Sequence, residues 1–255
     1  MSELIKSLRE LRLTGMADAC EHFLVSAQEQ CWDYPRLVQN LIDAEQEKRA
    51  SNRRERLLKQ SKLPASKTLQ SLNEDLLPLQ IRRQLPEFIK GKFVDRCQNI
   101  CAFGLPGRGK THLLCAVANE LVQQGRSVLF IPAFKLVQRL LEAKSLHQLD
   151  KELIRLDRFE VILLDDIGYV QHSPEEMEVL FTFIAERYER RSLMISSNLP
   201  FSKWGQLFRD PMTAMAAVDR LVQHSIILHF EGESIRSKIG REKFKSSPEE
   251  PAVNS

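Results

Sequence analysis

The sequence predicts an α/β protein: a five-stranded parallel sheet preceded by a small all-helical segment. Three observations lead there. From about residue 78 onward, short apolar runs alternate with amphipathic stretches of helical period. One run, Val161-Ile162-Leu163-Leu164, is apolar throughout, as a strand covered on both faces must be. A glycine-rich turn, Gly104-Leu105-Pro106-Gly107-Arg108-Gly109-Lys110-Thr111, separates a strand pattern from a helix pattern.

The elements follow in order. Residues 3–13 place Leu4, Leu8 and Leu11 on one helical face, and Gly15 is expected to end that helix. A second helix carries Met16, Cys20, Phe23, Leu24 and Ala27. A third begins near Pro35 with Leu37, Val38, Leu41 and Ile42, then turns polar over residues 48–56. Its period puts Arg49, Arg53, Arg56 and Gln60 on one strip. Two readings of that strip are open: a solvated helix with internal ion pairs, or a contact that tracks a DNA backbone. Residues 45–62 hold seven Lys or Arg against three Glu, which favours the second. Residues 61–75, with Pro64 and several Ser, Thr and Lys, read as a hinge. The expected division is a helical domain over 1–68, an α/β domain over 69–245 and a disordered polar tail over 246–255.

A helix near 78–90 leads into the strand Asn99-Ile100-Cys101-Ala102-Phe103. Past the glycine turn, Leu113, Leu114, Val117, Ala118, Leu121 and Val122 keep a helical period until Gly125. Ser127-Val128-Leu129-Phe130-Ile131 is the second strand, ended by Pro132, and helices are expected near 133–143 and 147–157. After the third strand (161–164), Pro174 starts a helix that runs to about Arg190. Leu193-Met194-Ile195-Ser196 and Ser225-Ile226-Ile227-Leu228-His229-Phe230 complete the five strands.

The 255 residues suffice for one sizeable α/β domain and a smaller piece. A net charge of +3 says little, but residues 236–245 carry five basic residues and one acid. No apolar run is long enough to span a bilayer, and Met1-Ser2-Glu3 leads straight into an amphipathic helix. The expectation is a cytoplasmic protein with no membrane partner. Five cysteines show no disulfide-framework spacing, and Cys101 and Cys115 read as small core residues.

The glycine turn fits G-x-x-x-x-G-K-[ST], the phosphate-gripping P-loop. Its backbone N–H groups would face phosphate oxygens, Lys110 would reach the β- and γ-phosphates, and Thr111 would ligate Mg²⁺. The stretch VILLDD ends a buried strand in acids, at the sheet edge where open α/β sheets bind ligands. Asp165 is expected to hold Mg²⁺ from its second shell of water, and Asp166 to orient or activate the attacking water. Asn198, after Ser196-Ser197, is either a turn residue or a polar group between those acids and the γ-phosphate. Arg220 and Arg236 are either surface ion-pair residues or neutralise charge on the transferred phosphoryl group. His112 closes the nucleotide-contacting segment 104–112 and is expected to pack rather than react.

Taken in order, GLPGRGKTHL, VILLDDIG, SSN, DRL and GESIR resemble the IstB-like transposition helper ATPases, AAA+ proteins related to DnaC-type helicase loaders. The leading LRELRLTGMADA is similar to that family's first domain, and the resemblance runs from about residue 4 to 244. It implies an AAA+ core using ATP and Mg²⁺. It implies Asp165 as the Mg²⁺ assistant, Asp166 as the catalytic carboxylate, Asn198 as first sensor and Arg236 as second. Arg220 is similar to an arginine finger acting on a neighbouring subunit's ATP. It further implies a homo-oligomer on double-stranded DNA, largely indifferent to sequence, with a transposase as partner. Arg49, Arg53, Arg56, Lys238 and Arg241 are the expected DNA contacts. Two residues depart from the family pattern: Arg108 stands where Thr is usual, and Asp166 where Glu is common. The segment after the last strand is expected to leave little room for a helical lid. A helicase loader on the same core is the rival reading, and a small-molecule kinase a more distant one.

Overall fold

The computed structural model describes residues 2–169, 173–199 and 221–231. The chain divides into two compact units, Met1–Lys59 and Gln60–Ser255. Residues 60–68, grouped by the sequence with the leading helices, thus fall in the second unit.

The first unit is built from α1 (Ser2–Glu10), α2 (Thr14–Glu29) and most of α3 (Tyr34–Ser61). Gly15 does not end α1; it lies in the first turn of α2. The stop is Arg12, in the left-handed region at φ 60, where Arg12 N donates to Arg9 O and Leu13 N to Leu8 O. That is a Schellman closure with arginine where glycine is usual. Gly15 serves packing instead: a Cβ there would stand 2.6 Å from the Ala44 carbonyl oxygen on α3. The preceding residue, Leu13, offers no capping side chain. Glu45 of α3 substitutes, its Oε2 accepting from Gly15 N at 2.6 Å and Met16 N at 3.2 Å. A buried carboxylate at a helix N-terminus satisfies donors that would otherwise be orphaned.

The second unit opens with a 3-10 turn (Glu74–Leu76), α4 (Leu79–Ile89) and α5 (Lys92–Asp95). It then alternates: β1 (Asn99–Phe103), α6 (Lys110–Gln123), β2 (Val128–Pro132), α7 (Ala133–Ser145), α8 (Leu149–Asp157), β3 (Val161–Asp165), a 3-10 turn (Ile167–Tyr169), α9 (Pro174–Arg187), β4 (Ser192–Ser197) and β5 (Ser225–His229). The five strands form one parallel sheet in the order β2-β3-β4-β1-β5. β2 is an edge strand, so the missing N–H of Pro132 at its end is tolerated.

Alternation along the strands sorts the two faces. Leu129, Ile162, Leu193 and Ile195 join residues of α7, α8 and α9 in one buried cluster. The other parity, including Leu163 and Met194, is equally buried, and α6 packs against β2, β3 and β4. Helices on both faces explain why the strands read as unbroken apolar runs.

Two further details fix α9 at its start and near its end. Ser173 and Glu176 close a capping box at the start of α9, with Pro174 in its first turn. Near the other end of α9, buried Arg187 donates to the carbonyls of Leu156, Phe159 and Ser192 at 3.1, 2.9 and 3.3 Å. It thereby joins the end of α8 to the starts of β3 and β4. Burial pushes the guanidinium pKa down to about 9, against the pull of Asp157. Among the described residues no helix is long and apolar enough to cross a membrane.

Candidate nucleotide site

After β1 the chain turns through Gly104, Gly107 and Gly109, at φ 151, 80 and 88, into α6. Such angles suit residues without a Cβ. At Gly104 space is decisive as well: a Cβ would lie 2.4 Å from the Phe230 carbonyl oxygen. Gly109 leads directly into Lys110, so the first N–H groups of α6 open on the loop.

Lys110 is buried, yet its ammonium is satisfied. Nζ donates to Gly104 O at 2.6 Å and Leu105 O at 3.0 Å, both carbonyls of its own loop. Thr111 Oγ1 donates to Asp165 Oδ1 at 2.6 Å. Asp165 ends β3 on the parity that faces α6, and Ser196 stands on the same face of the neighbouring β4. Ser196 Oγ donates to the same Asp165 oxygen at 2.6 Å and accepts from Asp166 N at 2.8 Å. Asp166 itself is left-handed, at φ 55. Loop, acid pair and β4 terminus therefore converge at the carboxyl edge of the sheet.

Asn198 sits beside this group. Its Oδ1 is buried without a partner among the described residues, and a Cβ on Gly168 would stand 1.9 Å from it. The Arg108 side chain reaches the end of β5, where Nη1 donates to Phe230 O at 2.8 Å. His112 Nε2 lies 3.0 Å from Ser71 Oγ, a packing contact between α6 and the segment before the sheet. Leu105 and Pro106 are exposed at the loop tip. Arg220, Arg236, Lys238 and Arg241 lie outside the described residues.

A hydroxyl and a carboxylate in contact beside a helix N-terminus are hard oxygen donors, and they fit Mg²⁺. Among the described residues no cluster of His, Cys, Asp and Glu could hold a metal unaided. Burial raises the thiols of Cys101 and Cys115, in the strand before the loop and the helix after it, to about 12.

The basic strip on α3 is partly committed to its own unit. Arg49 Nε donates to Glu45 Oε1 at 2.6 Å, which holds the Glu45 pKa below its usual value, with Met16 and Gly15 N–H groups adding to the effect. Lys48 pairs with Asp18 at 3.3 Å, Arg54 with Glu47 at 2.8 Å and Lys59 with Glu55 at 2.6 Å. Arg53 and Arg56 are exposed on the same helix. Arg49 thus has a structural duty that spacing alone did not reveal. Ser196 was also missed; the one hint was a polar residue closing an apolar strand next to the acids' strand.

A family model described as IstB-like ATP binding protein matches residues 6–243. The chain is 38% identical to an insertion-sequence ATP-binding protein of Sinorhizobium fredii over 236 residues, 92% of this chain and 79% of that one. It is 34% identical to the IS21 ATP-binding protein of Pseudomonas aeruginosa over 238 residues, 93% of this chain and 90% of that one. Among solved structures it is similar to AMPPCP-bound DnaA from Aquifex aeolicus, at TM-score 0.54 and 23% identity. That match covers 72% of this chain and just over half, 56%, of DnaA. At that identity the likeness is one of fold. The chain belongs to the IstB-like ATP-binding proteins of insertion sequences.

Proposed function

We propose that this protein is the ATP-hydrolysing, DNA-binding helper of a transposase, assembling on duplex DNA when it holds ATP and loosening when the γ-phosphate is lost. The observation that carries the reading is the meeting of Lys110, Thr111, Asp165 and Ser196 at one sheet edge, in a chain of this family.

Phosphate oxygens would compete with the Gly104 and Leu105 carbonyls for Lys110, so nucleotide capture opens the loop. Thr111 and Asp165 would hold Mg²⁺, which supplies charge neutralisation for the phosphates when bound. In hydrolysis a water oxygen bonds to the γ-phosphorus while the bond to the β,γ-bridging oxygen breaks. ADP leaves with that electron pair, and Asp166 takes the water's proton before passing it on to solvent or phosphate. Asn198 orients the water, Arg236 senses the phosphate within its own subunit, and Arg220 neutralises charge on a neighbour's ATP. Removing the γ-phosphate removes those charge-assisted contacts across the subunit boundary.

Arg53 and Arg56, with Lys238 and Arg241, give each subunit a few phosphate contacts; repetition around an assembly makes them sufficient. The leading helical unit acts as the DNA- and partner-facing domain, the α/β unit as the ATPase and 246–255 as a tail, in the cytoplasm. The test is strand transfer by a transposase of the same insertion-sequence family, with and without the protein. Stimulation that requires ATP supports the helper role. No stimulation, with a replicative helicase co-purifying instead, overturns it in favour of a loader. A trans-acting Arg220 has its own signature: Arg220→Ala mixed with Lys110→Ala should regain activity that neither has alone.

A further inference from the structure

We infer that Ser196 is a positioning residue for the acid pair that ends β3. Its side chain is fully buried. The hydroxyl has one proton, and the Asp165 carboxylate only accepts, so Ser196 Oγ donates to Asp165 Oδ1 and accepts from Asp166 N. Both directions are fixed by chemistry. One oxygen therefore sets the rotation of the Asp165 carboxylate and the backbone of Asp166.

Asp166 needs such a hold. At φ 55 it occupies a region that non-glycine residues enter at a cost, and its backbone determines where its carboxylate points. Asp165 Oδ1 also accepts from Thr111. Were Thr111 to ligate a metal ion, Ser196 would still donate to that carboxylate and keep it in place. The next residue serves the phosphate loop: the Ser197 carbonyl accepts from Gly104 N at 3.2 Å. Successive residues of β4 thus register the acid pair and the loop against each other. Ser196 lies beneath the acids, so its effect is exerted through them.

This role deepens the hydrolysis reading and rests on it, so the test has two arms. In the first, Ser196→Ala is compared with wild type for ATP turnover and for binding of a fluorescent ATP analogue. The expected result is a kcat lower by about 10- to 100-fold with binding within about 3-fold, and substantial recovery in Ser196→Thr, which keeps the hydroxyl. Unchanged kcat, or binding and turnover falling together, overturns the proposal. The second arm uses the nucleotide-free full chain labelled with ¹⁵N-aspartate, the Asp166 signal being assigned by its loss in Asp166→Asn. Ser196→Ala should displace that amide resonance and speed its hydrogen exchange by about tenfold or more, and Ser196→Thr should reverse both. If wild type hydrolyses no ATP, the hydrolysis reading fails by itself, and the amide decides the matter. An Asp166 resonance unmoved in Ser196→Ala then overturns the positioning role.

Discussion

Thr111 Oγ1, in the first turn of α6, donates to Asp165 Oδ1, the last residue of β3, at 2.6 Å across 54 residues of sequence. The contact brings the phosphate loop and the acid strand to one oxygen atom. It also makes the metal's place testable. Thr111→Ala and Asp165→Asn should each leave Mg²⁺-free ATP binding unchanged and reduce the gain from adding Mg²⁺ by about tenfold. Calorimetric titration in EDTA and in excess Mg²⁺ checks this. An equal loss in both buffers contradicts a metal role for the pair.

Lys110 holds two carbonyls of its own loop, which phosphate oxygens would displace on the proposed reading. Lys110→Ala should weaken ATP binding by about 10- to 100-fold, the scale of a lost charge-assisted hydrogen bond or two. Lys110→Arg should not restore it, because a planar guanidinium does not fit a buried site shaped for a point charge. Titration with a fluorescent ATP analogue reads both.

Glu45 contributes to the helical unit's pH dependence. Its pKa is lowered, first by Arg49 and then by the backbone N–H groups it caps. A carboxyl whose folded pKa lies below the ordinary 4.5 gives stability that is full above 4.5 and lost as pH falls through the folded value. In a Trp204→Phe background Trp32 is the remaining indole and reports on this unit. Acid titration should show Trp32 emission changing below pH 4.5, and Glu45→Gln should flatten that change. Glu45→Ala should destabilise the unit by about 1 kcal/mol, the size of a lost helix cap.

Arg187 is the corresponding point of weakness in the α/β unit. Arg187→Met removes the donor for the carbonyls of Leu156, Phe159, Glu160 and Ser192. A loss of about 3 kcal/mol in urea unfolding is expected. Arg187→Lys should recover part of it, since one ammonium does not reach all the acceptors of a fork.

The sheet was legible because parallel strands covered on both faces advertise themselves as apolar runs. Val161 to Leu164 needed only the addition of Asp165. The glycine turn was legible because its motif sets glycines and Lys110 at fixed spacing, and the strand and helix it calls for stand on either side. What escaped was decided by partners distant in sequence. Gly15 looked like a helix stop, but Arg12 makes the stop and Gly15 makes room for α3. Arg49 looked like a free cation until Glu45 proved buried beside it. Ser196 looked like the end of a strand, because nothing local shows that its hydroxyl faces Asp165.

Particle size in solution bears most directly on the idea that ATP joins copies of this chain around DNA. Light scattering should be recorded with duplex DNA under ATP, ADP and no nucleotide, using Asp166→Asn to slow turnover. Large assemblies with ATP, dissolving with ADP and with added salt, are the expected result. A particle of one 29.4 kDa chain under every condition would contradict it.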